Sequence, residues 1–353
     1  MEFKTTFMQN EFLMITEVTK REEWNNILSE ISDYDCYHTF EYHLISKLAG
    51  EVPILIYYRG TSGIIAFPLL KRKIPKSNFY DCTSVYGYAG PIFSSNIKSK
   101  DLKNFQNGLK EYCSKNNIIS IFSRLNPYIN NQEKTLSKLG DILVLGKVVY
   151  IDLFKNIDEQ RTEYSKTTKR YLNKSRKFCS IKKNFDEKDI LIFKDIYYEN
   201  MNRVNANSYY FFDEAYFLKF VRTKEFVSEV IYVILEETKE IIAGAILIKG
   251  KDVVHYHLSG TKTKYLSLNP LRLILDEARI GNSTSKNYQF FNLGVGLKNM
   301  EDGLFRFKSS FSNSKRVFKI WKYIANKEIY KTLVDIKETN SDFFPSYRRQ
   351  GED

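Results

Sequence analysis

A chain of 353 residues exceeds one ordinary domain and suits two. Its 43% hydrophobic and 27% charged residues let each half bury a core, which excludes a disordered chain. The 54 Lys+Arg against 42 Asp+Glu give a formal charge of +12, a field that gathers nucleic acid, nucleotide-sugars, CoA or an acidic membrane surface. Charge alone does not choose among these, and a solvated basic surface is the plain alternative.

Cys36, Cys82, Cys113 and Cys179 are scattered, without a CxxC pair, so neither a zinc site nor a disulfide framework is expected. Free thiols in a reducing cytoplasm are the simplest account. Residues 1–20 lack the basic, apolar, small-residue order of a secretion signal. The longest apolar runs, near Ile64–Leu70 and Ile241–Ile248, fall short of the ~20 residues of a spanning helix. The sequence thus predicts a soluble, cytoplasmic protein with no transmembrane segment and at most peripheral membrane contact.

In chain order, Pro53–Arg59 and Gly63–Lys71 read as strands around a Gly60-Thr61-Ser62 turn. Phe79–Tyr86 follows as a third strand, Leu102–Lys115 as a helix, Ile118–Arg124 as a strand, Asn131–Leu139 as a helix and Lys147–Phe154 as a strand. Asp158–Lys183 reads as helical with a dense basic face, Lys166, Lys169, Arg170, Lys174 and Lys177 recurring at helical spacing. Asp186 is read as the cap of a helix carrying Ile190, Phe193, Tyr197 and Met201, and Phe212–Val221 as another. A meander of Val230–Glu236, Ile241–Lys249 and Val253–Leu258 comes next. Asn269 and Pro270 then open a helix that Gly281 closes. Tyr288–Leu293, a helix at Met300–Phe307 and Arg316–Ile324 complete the pattern, and a polar tail reads as one more helix and a loose end.

The order strand, strand, strand, helix, strand, helix, strand therefore occurs twice. The predicted class is α/β (α+β): two tandem units, each a mixed, mostly antiparallel sheet flanked by helices. The boundaries are 1–155 for the first unit, 156–326 for the basic helix and second unit, and 327–353 for the tail.

That order resembles the GNAT acetyltransferase core, and the tandem pair resembles the Fem-type aminoacyl transferases, which add amino acids to cell-wall precursors. Local strings carry the resemblance: Thr39-Phe40-Glu41-Tyr42 with Lys47 and Gly50, the turn Ser84–Pro91, the basic segment Thr168–Lys177, Tyr256–Gly260, Phe291–Gly294, and Leu304–Phe311. It spans most of residues 36–325. Asn173 departs from the second Arg often found in the family's basic helix, and no segment has the heptads of a coiled-coil arm.

The resemblance implies that Lys308 is catalytic, its ammonium stabilising the oxyanion of acyl transfer. Without it, a lysine between Phe307 and Phe311 is most simply a solvated side chain. Arg170 and Lys174 lie one helical turn apart and can converge on one phosphate; by analogy with the family Lys47 joins them at the acceptor's diphosphate, and the remaining positive charge suits tRNA. Nine basic residues against the single acid Glu163 between Arg161 and Lys183 exceed what solubility needs. On the strand after Gly250, His255 and His257 share one face and Tyr256 takes the other. His257 is the candidate base on the attacking amine, with a structural role as its plain alternative and no acid partner assignable. Tyr256 and Asn292 stand in the matched strings as substrate-binding candidates.

The connection Gly260–Leu268 has no glycine after Gly260, and Tyr265 and Leu266 intrude. In CoA-using GNAT enzymes a glycine-rich loop here holds the pyrophosphate on backbone N–H groups. Acetyl-CoA is thereby disfavoured, and no cofactor or metal is expected. The expected function is transfer of an aminoacyl group from aminoacyl-tRNA to an amine of a nucleotide-sugar or lipid-linked envelope precursor. The rivals are an acyl-CoA-dependent N-acyltransferase acting on an amino sugar, and a non-enzymatic basic RNA-binding protein.

Overall fold

Short apolar runs separated by polar turns fold, in a computed structural model that describes residues 15–183, 187–334 and 343–349, into strands of one continuous sheet. The first half supplies β1 (Thr16–Val18), α1 (Arg21–Ser29), α2 (Phe40–Ser46), β2 (Glu51–Arg59), β3 (Ile64–Lys73), β4 (Tyr80–Thr83), β5 (Ile92–Phe93), α3 (Ser99–Lys115), β6 (Ile118–Arg124), α4 (Gln132–Leu136) and β7 (Asp141–Asp152). The second half supplies α5 (Ile157–Thr162), α6 (Lys166–Phe178), β8 (Cys179–Lys182), α7 (Glu187–Arg203), α8 (Glu214–Arg222), β9 (Val227–Leu235), β10 (Ile241–Lys249), β11 (Val253–Thr261), α9 (Pro270–Ser285), β12 (Phe290–Gly294), α10 (Gly303–Ser309) and β13 (Lys315–Ile324). A last helix, α11, spans Lys327–Leu333.

The strands lie in the order β1-β2-β3-β4-β6-β13-β7-β12-β11-β10-β9-β8, with β5 also beside β3. Neighbours are antiparallel except β4–β6 and β11–β12, the parallel pairs formed across the α3 and α9 crossovers. The closing strands are exchanged. β7 pairs with β12 and β13, and β13 pairs with β6 and β7, so each half's last strand bonds only to strands of the other half. Neither half completes its own sheet.

Strand alternation sorts the core onto two faces. In the second half, Ile231, Val233, Ala245 and Leu247 pack under Leu172 of α6, Leu273 and Leu275 of α9, and Phe305 of α10. Their strand neighbours Val230, Tyr232, Ile246 and Ile248 face the other way, against Phe193, Phe217 and Phe220 of α7 and α8, and against Tyr37, Tyr42 and Val85 from the first half. Each of those three phenylalanines is fully buried, worth about 1.5–3 kcal/mol apiece. Trp321 of β13 completes the first half's core beside Phe67, Phe105 and Leu109, which shows the strand exchange at the level of packing.

Some local expectations need correction. The basic stretch is not helical to Lys183: at Cys179 the backbone turns extended (φ −133°, ψ 145°), and β8 pairs with β9, Ile181 opposite Val233. Asn269 precedes Pro270 as expected but adopts a left-handed conformation and makes no side-chain cap. α9 continues past Gly281 to Ser285. The tail segment at Tyr347 and Arg348 is anchored, not loose: the Tyr347 hydroxyl bonds Ser120 Oγ at 2.8 Å, and Arg348 Nε donates to the buried Asp81 carboxylate at 2.5 Å. Asp186 lies outside the described residues.

Candidate active site at the junction of the two units

β11 and β12 run parallel only where Val253–His255 face Phe290–Asn292, and then diverge. A bulge leaves His257 without a partner on β10, since Tyr256 pairs with Leu247 and Leu258 with Ile246. β12 ends at Gly294, whose φ of +83° suits glycine. From there the chain passes to α10, where Asp302 accepts the Phe305 N–H at 2.9 Å and fixes the helix start. The helix buries Phe305 and turns Lys308 inward.

Lys308 is 8% exposed, and its Nζ donates to the Val295 carbonyl at 2.7 Å. Burial pulls its ammonium down to about 8, opposed by the nearby Asp302 carboxylate. This is no solvated side chain. A partly desolvated cation held by one carbonyl has donors left for a developing negative charge.

Asn292 is brought to the same place. Its Oδ1 accepts the Gly294 N–H at 2.9 Å, and its Nδ2 lies 3.1 Å from His255 Nδ1. His255 Nε2 in turn lies 2.7 Å from Asp35 Oδ2, both residues being buried. Asp35 also accepts from Cys36 N–H at 2.7 Å and from Asn126 Nδ2 at 3.0 Å. Burial pushes its carboxyl up, but His255, His38 and the Asn126 amide outweigh burial and hold it at about 2. Tyr88 of the first half stacks on His255, centroids 6.2 Å apart at 26°. The acid partner that sequence left unassigned therefore belongs to His255, and it lies in the other half.

The other candidates lie elsewhere. The His257 ring packs on Tyr42, Tyr86 and Phe220, its Nε2 3.1 Å from the Tyr216 hydroxyl, and burial holds it neutral down to about pH 3. Among the described residues no carboxylate orients it, so there it lacks the partner that a general base of the Asp–His kind has. Tyr256 points to the opposite face, into the α6–α9 core. Arg170 and Lys174 are exposed on α6, with Arg170 over the Tyr171 ring at 5.1 Å. Lys47 is exposed at the end of α2, which packs with α8 on the reverse face of the sheet. Lys47 does not join Arg170 and Lys174. Arg161 and Arg176 of the basic stretch turn inward, at 3.6 and 2.5 Å from the fully buried Asp276 carboxylate. Part of the local charge surplus is thus structural.

Asp35, Cys36 and His255 are close enough to suggest metal ligands, but the donor set does not fit. Both Asp35 oxygens are already bonded, and burial keeps the Cys36 thiol protonated. A concavity of about 500 Å³ opens elsewhere, lined by Ile192, Ile196, Glu199, Ile241 and Lys262, and it includes none of these site residues. In the β11–α9 connection Tyr265 is buried in the core and bonds Glu240, while Glu199 takes the Thr263 N–H at 2.6 Å. Backbone N–H groups there are not presented as a phosphate cradle.

Sequence reasoning missed Asp35 and Tyr88. Asp35 carried one local signal, a capping box with His38, but its pairing with His255 spans 220 residues. Tyr88 sits in the turn matched to the Fem pattern, yet nothing in that turn shows which partner it meets.

The sequence matches no protein-family profile and no curated protein. Solved structures do match. FemX aligns over 90% of this chain and 99% of its own, at 13% identity and TM-score 0.67. The L-PGS of Bacillus licheniformis aligns over 89% and 94%, at 12% identity and TM-score 0.55. A tandem GNAT protein from the clavulanic acid biosynthesis pathway aligns over 88% and 99%, at 6% identity and TM-score 0.51. At these identities the likeness is one of fold, and it extends nearly end to end. The chain has the Fem-type fold of two tandem GNAT-like units.

Proposed function

We propose that the protein is an aminoacyl transferase, moving an aminoacyl group from charged tRNA to an amine on a sugar- or peptide-containing envelope precursor. The observation that carries this reading is Lys308: a buried ammonium aimed at the end of β12, where the two halves meet. Such a charge, fixed before the reaction and shielded from water, favours the oxyanion of acyl transfer without reorganisation. Holding donor and acceptor together there supplies much of the remaining rate.

The donor assignment rests on two features. The β11–α9 connection is closed by Tyr265 instead of opened by glycines, which argues against CoA. The exposed Lys166, Arg170, Lys174 and Lys177 of α6 suit a phosphate backbone. The fold shared with FemX supports the same reading. The acceptor side would be nucleotide- or lipid-linked, met in the cytoplasm or at the inner membrane surface.

A donor comparison tests the proposal. Purified protein receives charged tRNA or acyl-CoA with a panel of amino-bearing precursors, and product mass is read. A gain of one amino-acid residue with charged tRNA alone is expected. An acyl gain with CoA alone would replace the proposal with the N-acyltransferase reading. Salt-sensitive RNA binding without transfer would favour a binding protein.

A further inference from the structure

Gly294 marks a notch shared by the two halves. A methyl group built on its Cα would lie 3.2 Å from Lys308 Nζ and 3.6 Å from the Tyr88 hydroxyl. Two polar heads, one from each half, therefore point at a spot that only glycine leaves open. Gly294 and Tyr88 are both partly exposed, so the notch is reachable from outside.

The hydrogen-bond directions around His255, on which the Tyr88 ring stacks, follow from fixed groups. Asn292 Oδ1 accepts the Gly294 N–H, which sets the amide so that Nδ2 is the donor. That Nδ2 meets His255 Nδ1 at 3.1 Å, so Nδ1 accepts and Nε2 carries the hydrogen toward Asp35. The Tyr88 hydroxyl reaches the notch over Gly294, where Lys308 Nζ is the other polar head and the phenol O–H can donate. The Tyr88 ring is held between His255 and Phe318, edge-on to Phe318 at 5.2 Å. Burial keeps its hydroxyl protonated well above the ordinary phenol range.

We propose that Tyr88 is a catalytic residue, the second donor of an oxyanion site over Gly294 whose first donor is Lys308. This rests on the acyl-transfer reading and holds for either donor class. The acyl carbonyl oxygen sits between Nζ and the phenol. The acceptor nitrogen forms the new N–C bond, the bond from carbon to ester oxygen or thioester sulfur breaks, and the nitrogen's proton ends on the departing atom. His255, held by Asn292 and Asp35, is a positioning residue on which the Tyr88 ring stacks. Because Tyr88 and Asp35 come from the first half and Lys308, Asn292 and His255 from the second, the reaction site exists only in the joined chain.

The test is the steady-state kinetics of Tyr88→Phe with whichever donor, charged tRNA or acyl-CoA, gives product with the wild type. Loss of one oxyanion donor lowers kcat on the order of 10²-fold, with KM within about twofold. A kcat within about threefold of wild type, or a loss confined to KM, would overturn the assignment. If the wild type gives no product with either donor, the acyl-transfer reading fails first. The notch is then judged by NMR titration of the Lys308 side chain in lysine-¹³Cε-labelled protein, the signal assigned by its loss in Lys308→Met. A phenol dipole sharing the notch couples to the ammonium, so Tyr88→Phe should shift the midpoint by roughly half a unit. An unchanged midpoint would show that the two heads do not share the notch.

Discussion

Two places in this molecule are equivalent by topology and unlike in use: the ends of the parallel pairs β4–β6 and β11–β12. In the first half the divergence is closed. Ala89 bridges back to Leu125, and its carbonyl is bonded by Gln132 Nε2 at 2.8 Å and by His38 Nε2 at 3.2 Å. Gly87 and Gly90 lie at positive φ, crowded by the Tyr37 ring and the Gln132 amide. In the second half the strands diverge beside Gly294, and what approaches is Lys308. The same fold thus yields one sealed end and one open end. The sealed end has its own use, because its rigid turn carries Tyr88 across to the open one.

The seam between the two ends should break hardest at Asp35. Asp35→Ala removes a buried carboxylate from His255, Asn126 and the Cys36 N–H at once, leaving buried donors unpaired. A loss of about 3–5 kcal/mol is expected, read by denaturant unfolding. The pH dependence follows the same group. Its folded value near 2 lies below the ordinary 3.8, so its contribution is complete above about pH 4 and is lost as pH falls through 2. A loss under 1 kcal/mol in Asp35→Ala would mean the halves are held by strand exchange and shared apolar packing, with no help from this buried polar cluster.

At the open end the effect falls on turnover instead of stability. Lys308→Met keeps the apolar stem in place and removes the charge, so the fold should hold while kcat drops on the order of 10²–10³-fold. Because burial sets the ammonium at about 8, wild-type kcat should fall as pH rises through that value. A rate that climbs through pH 8 and levels off would make Lys308 a neutral base and not a cation.

Glycine substitutions sharpen the contrast. Gly90→Ala meets the Gln132 amide at 2.6 Å and holds alanine at φ +87°, so it should cost about 1–3 kcal/mol of stability. Gly294→Ala carries similar backbone strain at φ +83°, but its methyl also stands in the notch. Of the two variants, the second should reduce kcat the more in the fraction that remains folded, since the first reaches the notch only through the turn that carries Tyr88. Equal kinetic effects would remove the distinction between a sealed and an open end.

These differences explain what the sequence could and could not show. β10 and β6 were legible to the residue, since apolar runs bounded by Gly, Asn and Lys turns are local signals. Two tandem units were legible for the same reason. The exchange of β7 and β13 was not, because pairing partners more than 100 residues apart leave no mark on periodicity. β8 was missed because its four residues follow a basic helix without a turn residue between them. At the site, Lys308 and Asn292 came from the Fem resemblance and do meet at one place. Asp35 and Tyr88 required the fold, since their chemistry depends on neighbours from the other half. The strand places His255 and His257 on one face, and only tertiary structure decides which one meets a carboxylate.

The smallest expected effect concerns α6, which sits on neither end. Arg170 and Lys174 are exposed and make no ion pair among the described residues, so replacing both with alanine should leave stability unchanged. If α6 holds the donor's phosphates, the double variant should raise KM for charged tRNA and reduce the steepness of its salt dependence by about one or two ions, with kcat preserved. The inward-facing Arg176 offers the contrast: its loss exposes the buried Asp276 to an incomplete set of partners and should lower stability instead. An unchanged salt slope in the double variant would move the donor site off this helix. It would leave the charge of α6 as surface alone, while Lys308 and its notch stood as before.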